Sequence, residues 1–230
     1  MISTTIQTYM NHKLPALLLM LISFGNVQAQ SNIVPDALMH KICKAITDSR
    51  ETNDSVKVSH AFAQYLYPVL EKQEEEKAKE AFLFTYYRLQ KLCGAFKAIT
   101  DKYSVQNGDW QNLDVKPPTQ LTKSVCQQLL QHKRLYYLEA NGDTVELKIN
   151  KGEWTDRFKD GTYSKLKFYW VNDCEFEISF VESNNISRKS FSKPGDKYRY
   201  QLIQKYPGFY DVSVEIKEHA IISRFRIYYE

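Results

Sequence analysis

The stretch Tyr163 to Glu182, YSKLKFYWVNDCEFEISFVE, leaves a chain little choice of fold. Leu166, Phe168 and Trp170 recur at period two, as do Phe176, Ile178 and Phe180, which is how two strands with one buried face each are written. Residues opposite each other in an antiparallel pair share a face, so even positions must meet even positions. A loop with an odd number of residues does this. The spacing predicts Val171-Asn172-Asp173 as that loop, with Asp173 left-handed, Trp170 opposite Cys174, and Cys174 turned inward.

The same parity rule applies to the other hairpins. Asn141-Gly142 signals a two-residue turn, which demands opposite parity and puts Tyr136 and Leu138 on the face of Val145, Leu147 and Ile149. Glu218-His219 suits a two-residue turn that sets Ile216 opposite Ile221 and Val212 opposite Phe225. At Pro207-Gly208 a two-residue loop sets Arg199 and Gln201 against core residues. A three-residue loop is therefore expected, placing Leu202 opposite Val214 and Tyr200 opposite Ile216.

Counting Leu135 to Glu139, Thr144 to Asn150, a candidate at Glu153 to Phe158, Tyr163 to Val171, Cys174 to Glu182, Lys197 to Lys205, Tyr210 to Lys217 and Ile221 to Tyr229 gives seven or eight strands. An antiparallel meander of that size closes into a barrel or a strongly curved sheet, which removes exposed edges. Ser183 to Asp196, with Asn184-Asn185 and Pro194-Gly195, is expected to be a surface loop.

Helical spacing governs the part before. Leu38, Met39, Ile42 and Ile46 form one stripe after Pro35, and Asn53-Asp54-Ser55 offers caps for a second helix that Pro68 ends near Tyr67. The strongest helical segment carries Phe82, Tyr86, Leu89, Cys93 and Phe96 on a stripe widened by Leu92 and Ile99. The acidic run EKQEEEKAKE reads as solvated helix surface, with pairs such as Glu75 and Lys79. Ser104 to Gln120 breaks every periodicity and reads as a linker. The expected fold class is α+β: a helical bundle over 30–103, a linker over 104–120, and an antiparallel β domain over 121–230. A chain of 230 residues is long enough for two such cores.

Met10 to Ala29 precedes both: Lys13, an apolar run from Leu14 to Phe24, then Val27 and Ala29 at small-residue cleavage positions. That is the pattern of a signal peptide over 1–29, and the apolar run is too short to span a bilayer. Export to a periplasmic or secreted location follows, with no membrane span after cleavage. The formal charge of +4 falls by one when Lys13 leaves, and no face carries clustered Lys and Arg, so no nucleic-acid partner is expected. Cys43, Cys93, Cys126 and Cys174 remain, and in an exported chain an even count suggests disulfides. Two fall in each half, which favours Cys43 with Cys93 and Cys126 with Cys174. A metal site on His40 and Cys43 lacks a second close pair of ligands, so neither metal nor cofactor is expected.

Cys126 followed by LLQHKRLYYLE, then TVELKIN, then KLKFYWVNDCEFEISF with Trp170 and Cys174 spaced W-x-x-x-C, resembles a group of small exported bacterial β domains of uncharacterised function. The resemblance covers about residues 124 to 217. It implies a half-open, lipocalin-like barrel and an exported location, and carries no catalytic residue with it.

The chain has no nucleophile elbow, zinc-protease pair, phosphate loop or C-x-x-C motif. His40, His60, His132 and His219 have no evident catalytic partner; Asp173, Glu175 and Glu177 lie within one hairpin, and Glu175 and Glu177 read as its wet strand face. Tyr136, Phe168, Trp170, Phe176, Tyr200 and Phe225 are the ligand-pocket candidates, with Phe180 and Tyr198 on the same inward face. The expectation is a non-catalytic binding or interaction protein taking a small apolar ligand or a protein partner. The alternatives are a scaffold docking through its helices and, behind it, a hydrolase.

Overall fold

The computed structural model describes residues 34–103, 108–216 and 221–230, so the expected leader over 1–29 lies outside the described residues. Ile33–Glu230 forms one compact unit built on two apolar cores.

The first core is helical. Helix α1 (Asp36–Asp48) buries Met39, Ile42 and Ile46 at helical spacing. Helix α2 (Asp54–Tyr65) is capped by Asn53, whose side chain accepts from the Val56 N–H at 3.1 Å. Pro68 sits in the first turn of a short α3 (Tyr67–Leu70), where its missing N–H costs nothing. The segment read as one helix through Ile99 is two, α4 (Glu75–Leu92) and α5 (Gly94–Tyr103). Cys93 between them is extended, at φ −135° and ψ 101°, and bonds to Cys43 of α1. Periodicity alone missed the break because Gly94 keeps the apolar stripe in phase.

The second core fills a closed antiparallel barrel. Its strands are β2 (Leu135–Leu138), β3 (Thr144–Asn150), β4 (Glu153–Arg157), β5 (Tyr163–Trp170), β6 (Glu175–Ser183), β7 (Lys197–Tyr206), β8 (Phe209–Ile216) and β9 (Ile221–Tyr229). Each pairs with the next, and β9 returns to β2 through Leu135 opposite Tyr229 and Tyr136 opposite Tyr228. That closure is short. The rest of the same β9 edge is taken by β1 (Gln111–Leu113), with Gln111 opposite Arg224 and Leu113 opposite Ile222. The stretch expected to be a linker therefore supplies a strand of the wall. Trp110 fills the seam, stacked on Phe225 at 4.6 Å with its indole N–H donating to the Leu138 carbonyl at 2.6 Å.

The expected registers were right in parity more often than in detail. Even residues of β5 do face even residues of β6, but Trp170 lies opposite Phe176, not Cys174. The three-residue loop is Asn172-Asp173-Cys174, shaped by the Asn172 side chain accepting from the Cys174 and Glu175 N–H groups. Asp173 is not left-handed. At Pro207-Gly208 the turn has two residues, with Tyr206 opposite Phe209 and Gly208 at φ 91°. The parity conflict is resolved by a bulge at Ile203 instead of a longer loop, so Leu202 meets Val212 and Tyr200 meets Val214. Ile216 lies opposite Ile221 and Val212 opposite Phe225 as expected, and the Glu218-His219 turn lies outside the described residues.

The Asn141-Gly142 turn corrects a site residue. Glu139 N–H donates to the Asp143 carbonyl at 2.8 Å, so the loop is Ala140-Asn141-Gly142, with Gly142 at φ 87° taking the left-handed position. One extra loop residue reverses the parity of β2. Leu135 and Tyr137 point inward, opposite Leu147 and Val145, and Tyr136 points outward onto Tyr228 and Arg134.

The two ends of the barrel differ. One is closed by α6 (Lys123–Gln127) and the 3₁₀ turn Gln128–Gln131, held by the Cys126–Cys174 disulfide over buried Leu129. The other is the mouth. There Ser183 to Asp196, expected as a loop, forms α7 (Ile186–Phe191), capped by the Asn185 side chain and packed on α4.

Candidate functional site

A cavity of about 350 Å³ opens at the mouth of the barrel. Its wall is aromatic: Trp110, Tyr137, Trp154, Tyr198, Tyr200 and Phe225, with Leu166, Ile178 and Val214 between them. These rings hold one another in place. Tyr137 and Tyr200 meet Phe225 edge-on at 5.9 and 6.0 Å, and Trp154 lies 5.8 Å from Tyr200. A wider recess of about 630 Å³ near the same end is lined mainly by polar turn residues such as Asn141, Asp143 and Asp160. A cavity walled by apolar rings with a few convergent polar groups is the form that binds small molecules.

The polar groups come from three elements. Strand β4 alternates Trp154 and Asp156 inward, and the Trp154 indole N–H donates to Asp156 Oδ1 at 2.8 Å. Strand β2 brings Tyr137, whose hydroxyl group lines the same cavity as Asp156. Helix α7 lowers Arg188 onto the cluster, where Nη2 reaches the Tyr137 hydroxyl at 3.5 Å and forms an ion pair with Glu139. Asp156 is 6% exposed. Burial raises its pKa to about 6, and Arg188 and the Trp154 N–H offset only part of that cost. Burial likewise pushes the Tyr137 and Tyr200 hydroxyls up, with the Asp156 charge adding to both. Arg188 keeps its proton despite burial because Glu139, Tyr137 and Asp156 surround it.

A second polar cluster pins the helices to the mouth. Lys91 of α4 is 1% exposed, and a cation that deep costs several kcal/mol if left unpaired. Its Nζ donates to Asp196 Oδ2 at 2.5 Å and to the Tyr198 hydroxyl at 3.1 Å. Arg88 adds donations to Asp196 at 3.2 Å and to the Phe191 carbonyl at 2.9 Å. Burial acts to raise the Asp196 pKa, but the Lys193 backbone N–H and Lys91 hold it below the usual carboxylate value. The Ser192 and Tyr198 hydroxyls share a 2.6 Å bond, which ties the C-terminal side of α7 to β7.

Of the six expected pocket residues, Tyr200 and Phe225 line the cavity. Phe168, Trp170 and Phe176 pack with one another at 4.9 to 5.7 Å, and Phe176 is fully buried beneath Tyr200. They floor the cavity and fill the barrel behind it. Tyr136 is outside, and its neighbour Tyr137 takes the inward place. Sequence reasoning missed Trp110, Trp154, Asp156 and Arg188. The signal for two of them was available, because Trp154 and Asp156 alternate in a candidate strand, on the face Phe158 also shares. Asp173, Glu175 and Glu177 form ion pairs with Lys123, Lys116 and Lys197, away from the cavity. His132 stacks on Tyr229 at 4.0 Å, and His60 is exposed on α2. Among the described residues, no group of His, Cys, Asp and Glu is arranged to hold a metal ion, and no helix is long and apolar enough to cross a membrane.

No protein-family model, curated protein or solved structure matches the chain.

Proposed function

We propose that this is an exported, non-catalytic binding protein whose barrel, lipocalin-like in design, carries one small amphipathic molecule in the cavity at its mouth. The observation that carries this is the 350 Å³ space left inside a wall of large rings, with Asp156, Tyr137 and Arg188 converging on one side. A barrel of eight strands is at the size where side chains fill the interior or leave room for one ligand. The two disulfides support the exported part, since such bonds persist in oxidising compartments. The helical elements, read as a bundle, serve as a cap: the Lys91 and Arg88 contacts hold α4 and α7 over the opening. Docking of a partner protein through them has less support, because their exposed large apolar side chains are Tyr67 and Tyr103.

The test is titration with N-phenyl-1-naphthylamine, an uncharged dye that brightens in apolar cavities. The disulfide-intact protein should enhance it, and Val214→Trp, which projects a ring into the cavity, should abolish the enhancement while retaining the far-UV circular dichroism. Equal enhancement in both proteins, or none in either, would remove the carrier reading.

A further inference from the structure

We infer that the ligand carries a protonated amine on its apolar body, with Asp156 as the counter-ion; this rests on the carrier reading above. Among the described residues, the charges on the cavity wall are Lys97, Asp101, Asp156 and Arg188. Each cation there already faces an acid of the protein. Lys97 pairs with Asp101 at 2.6 Å, and Arg188 pairs with Glu139. Among the described lining residues that leaves Asp156, a negative charge with no salt bridge of its own within 4 Å.

Its partners leave it acceptor capacity. An ionised carboxylate has about four lone-pair positions. The Trp154 N–H occupies one of them, so Asp156 can accept further donors from within the cavity. Arg188 acts on Asp156 through its charge, but its guanidinium is ion-paired with Glu139 and lies 3.5 Å from the Tyr137 hydroxyl. Among the described residues, the titratable and charged groups facing Asp156 are Tyr137 from β2 and Glu139 just after it, Arg188 from α7 and Tyr200 from β7. None of these offers a donor-poor anion a better place than the donor-rich cation that Asp156 suits.

The rings point the same way. Aromatic faces carry negative potential and attract ammonium groups within about 6 Å of the ring centre. Trp110, Tyr137, Trp154, Tyr200 and Phe225 line the same cavity as the carboxylate. The wall also suits a flat apolar body, so an arylalkylamine small enough for 350 Å³ is the class selected.

The experiment displaces the naphthylamine dye from the disulfide-intact full chain with three probes of one shape: tryptamine, 3-ethylindole and indole-3-acetate. Tryptamine should bind about tenfold or more tighter than the other two, the scale of one desolvated charge pair. Asp156→Asn, which keeps the acceptor for Trp154 and removes the charge, should erase that preference and leave 3-ethylindole unchanged. A second readout guards against a variant that fails to fold. In the unaltered protein the tryptamine preference should decay as pH falls through about 6, where Asp156 takes up a proton while the amine stays charged. Equal affinity for the three probes, preference for the anion, a preference surviving in Asp156→Asn, or no probe binding while the dye still binds would each overturn the amine and leave the carrier reading intact. Failure of the dye itself would overturn both.

Discussion

Replacing Asp156 with Asn gives the sharpest stability prediction, because the structure supplies both its size and its sign. The folded-state pKa of about 6 stands above the ordinary 3.8, so the folded chain holds this proton more tightly than the unfolded chain does. Stability from the group is fully present below pH 3.8 and is lost as pH rises through about 6. At about 1.4 kcal/mol per pH unit, ionised Asp156 costs the fold about 3 kcal/mol at neutral pH. The variant escapes that cost. Asp36, Glu175 and Asp196, whose pKa values are lowered by neighbouring cations and hydrogen bonds, act in the opposite sense, losing stability as pH falls. They titrate in both proteins and cancel in the difference. Urea unfolding followed by circular dichroism, with the disulfides intact, should show Asp156→Asn gaining on the parent by about 3 kcal/mol between about pH 3.5 and 7, most steeply from about pH 4 to 6. Hydrogen bonds weakened by the amide move the whole difference curve without changing its shape. A flat curve, or one that falls with pH, refutes a buried, desolvated carboxylate.

Other consequences are as direct. Removing either disulfide as a Cys→Ser pair should cost about 4 kcal/mol, since the bridges close loops of similar span, 50 and 48 residues, and denaturant midpoints measured for each pair check it. Lys91→Met should cost about 3 kcal/mol and Asp196→Asn a similar amount, while the double variant recovers about 2 kcal/mol of the sum, a double-mutant-cycle signature of a buried pair. Gly208→Ala, at φ 91°, should lose about 1 kcal/mol in thermal unfolding. Gly94→Ala, at the start of α5 with nothing within 4 Å of the added methyl, should be neutral or stabilising by up to about 1 kcal/mol.

The wall of the barrel was legible because burial on one face writes period two into a strand, and no other structure explains Leu166 to Phe180. What could not be read was anything that depends on a single residue in or out of the ladder. Ile203 and Val181 are bulged residues that look like ordinary strand positions, and Ala140 joins a loop whose Asn-Gly signal suggests two residues. Each changes parity, and at β2 that change exchanged Tyr136 for Tyr137 in the site. Trp110 and Arg188 lie in stretches without periodicity, so their places are set by tertiary contacts with β9 and with Glu139. Asp156 was hidden for a different reason. An acid at an inward position contradicts the apolar pattern, and such contradictions are where functional groups concentrate. Both disulfide partners were legible from position alone, because each pair sits within one half of the chain.

The claim that everything else serves is that a molecule occupies the barrel mouth. Native mass spectrometry of the disulfide-intact protein, purified from its source compartment alongside Val214→Trp, tests it most directly. A retained small molecule in the parent and its loss from the variant is the predicted outcome. Bare protein mass in both, with no dye enhancement in the parent, would contradict it.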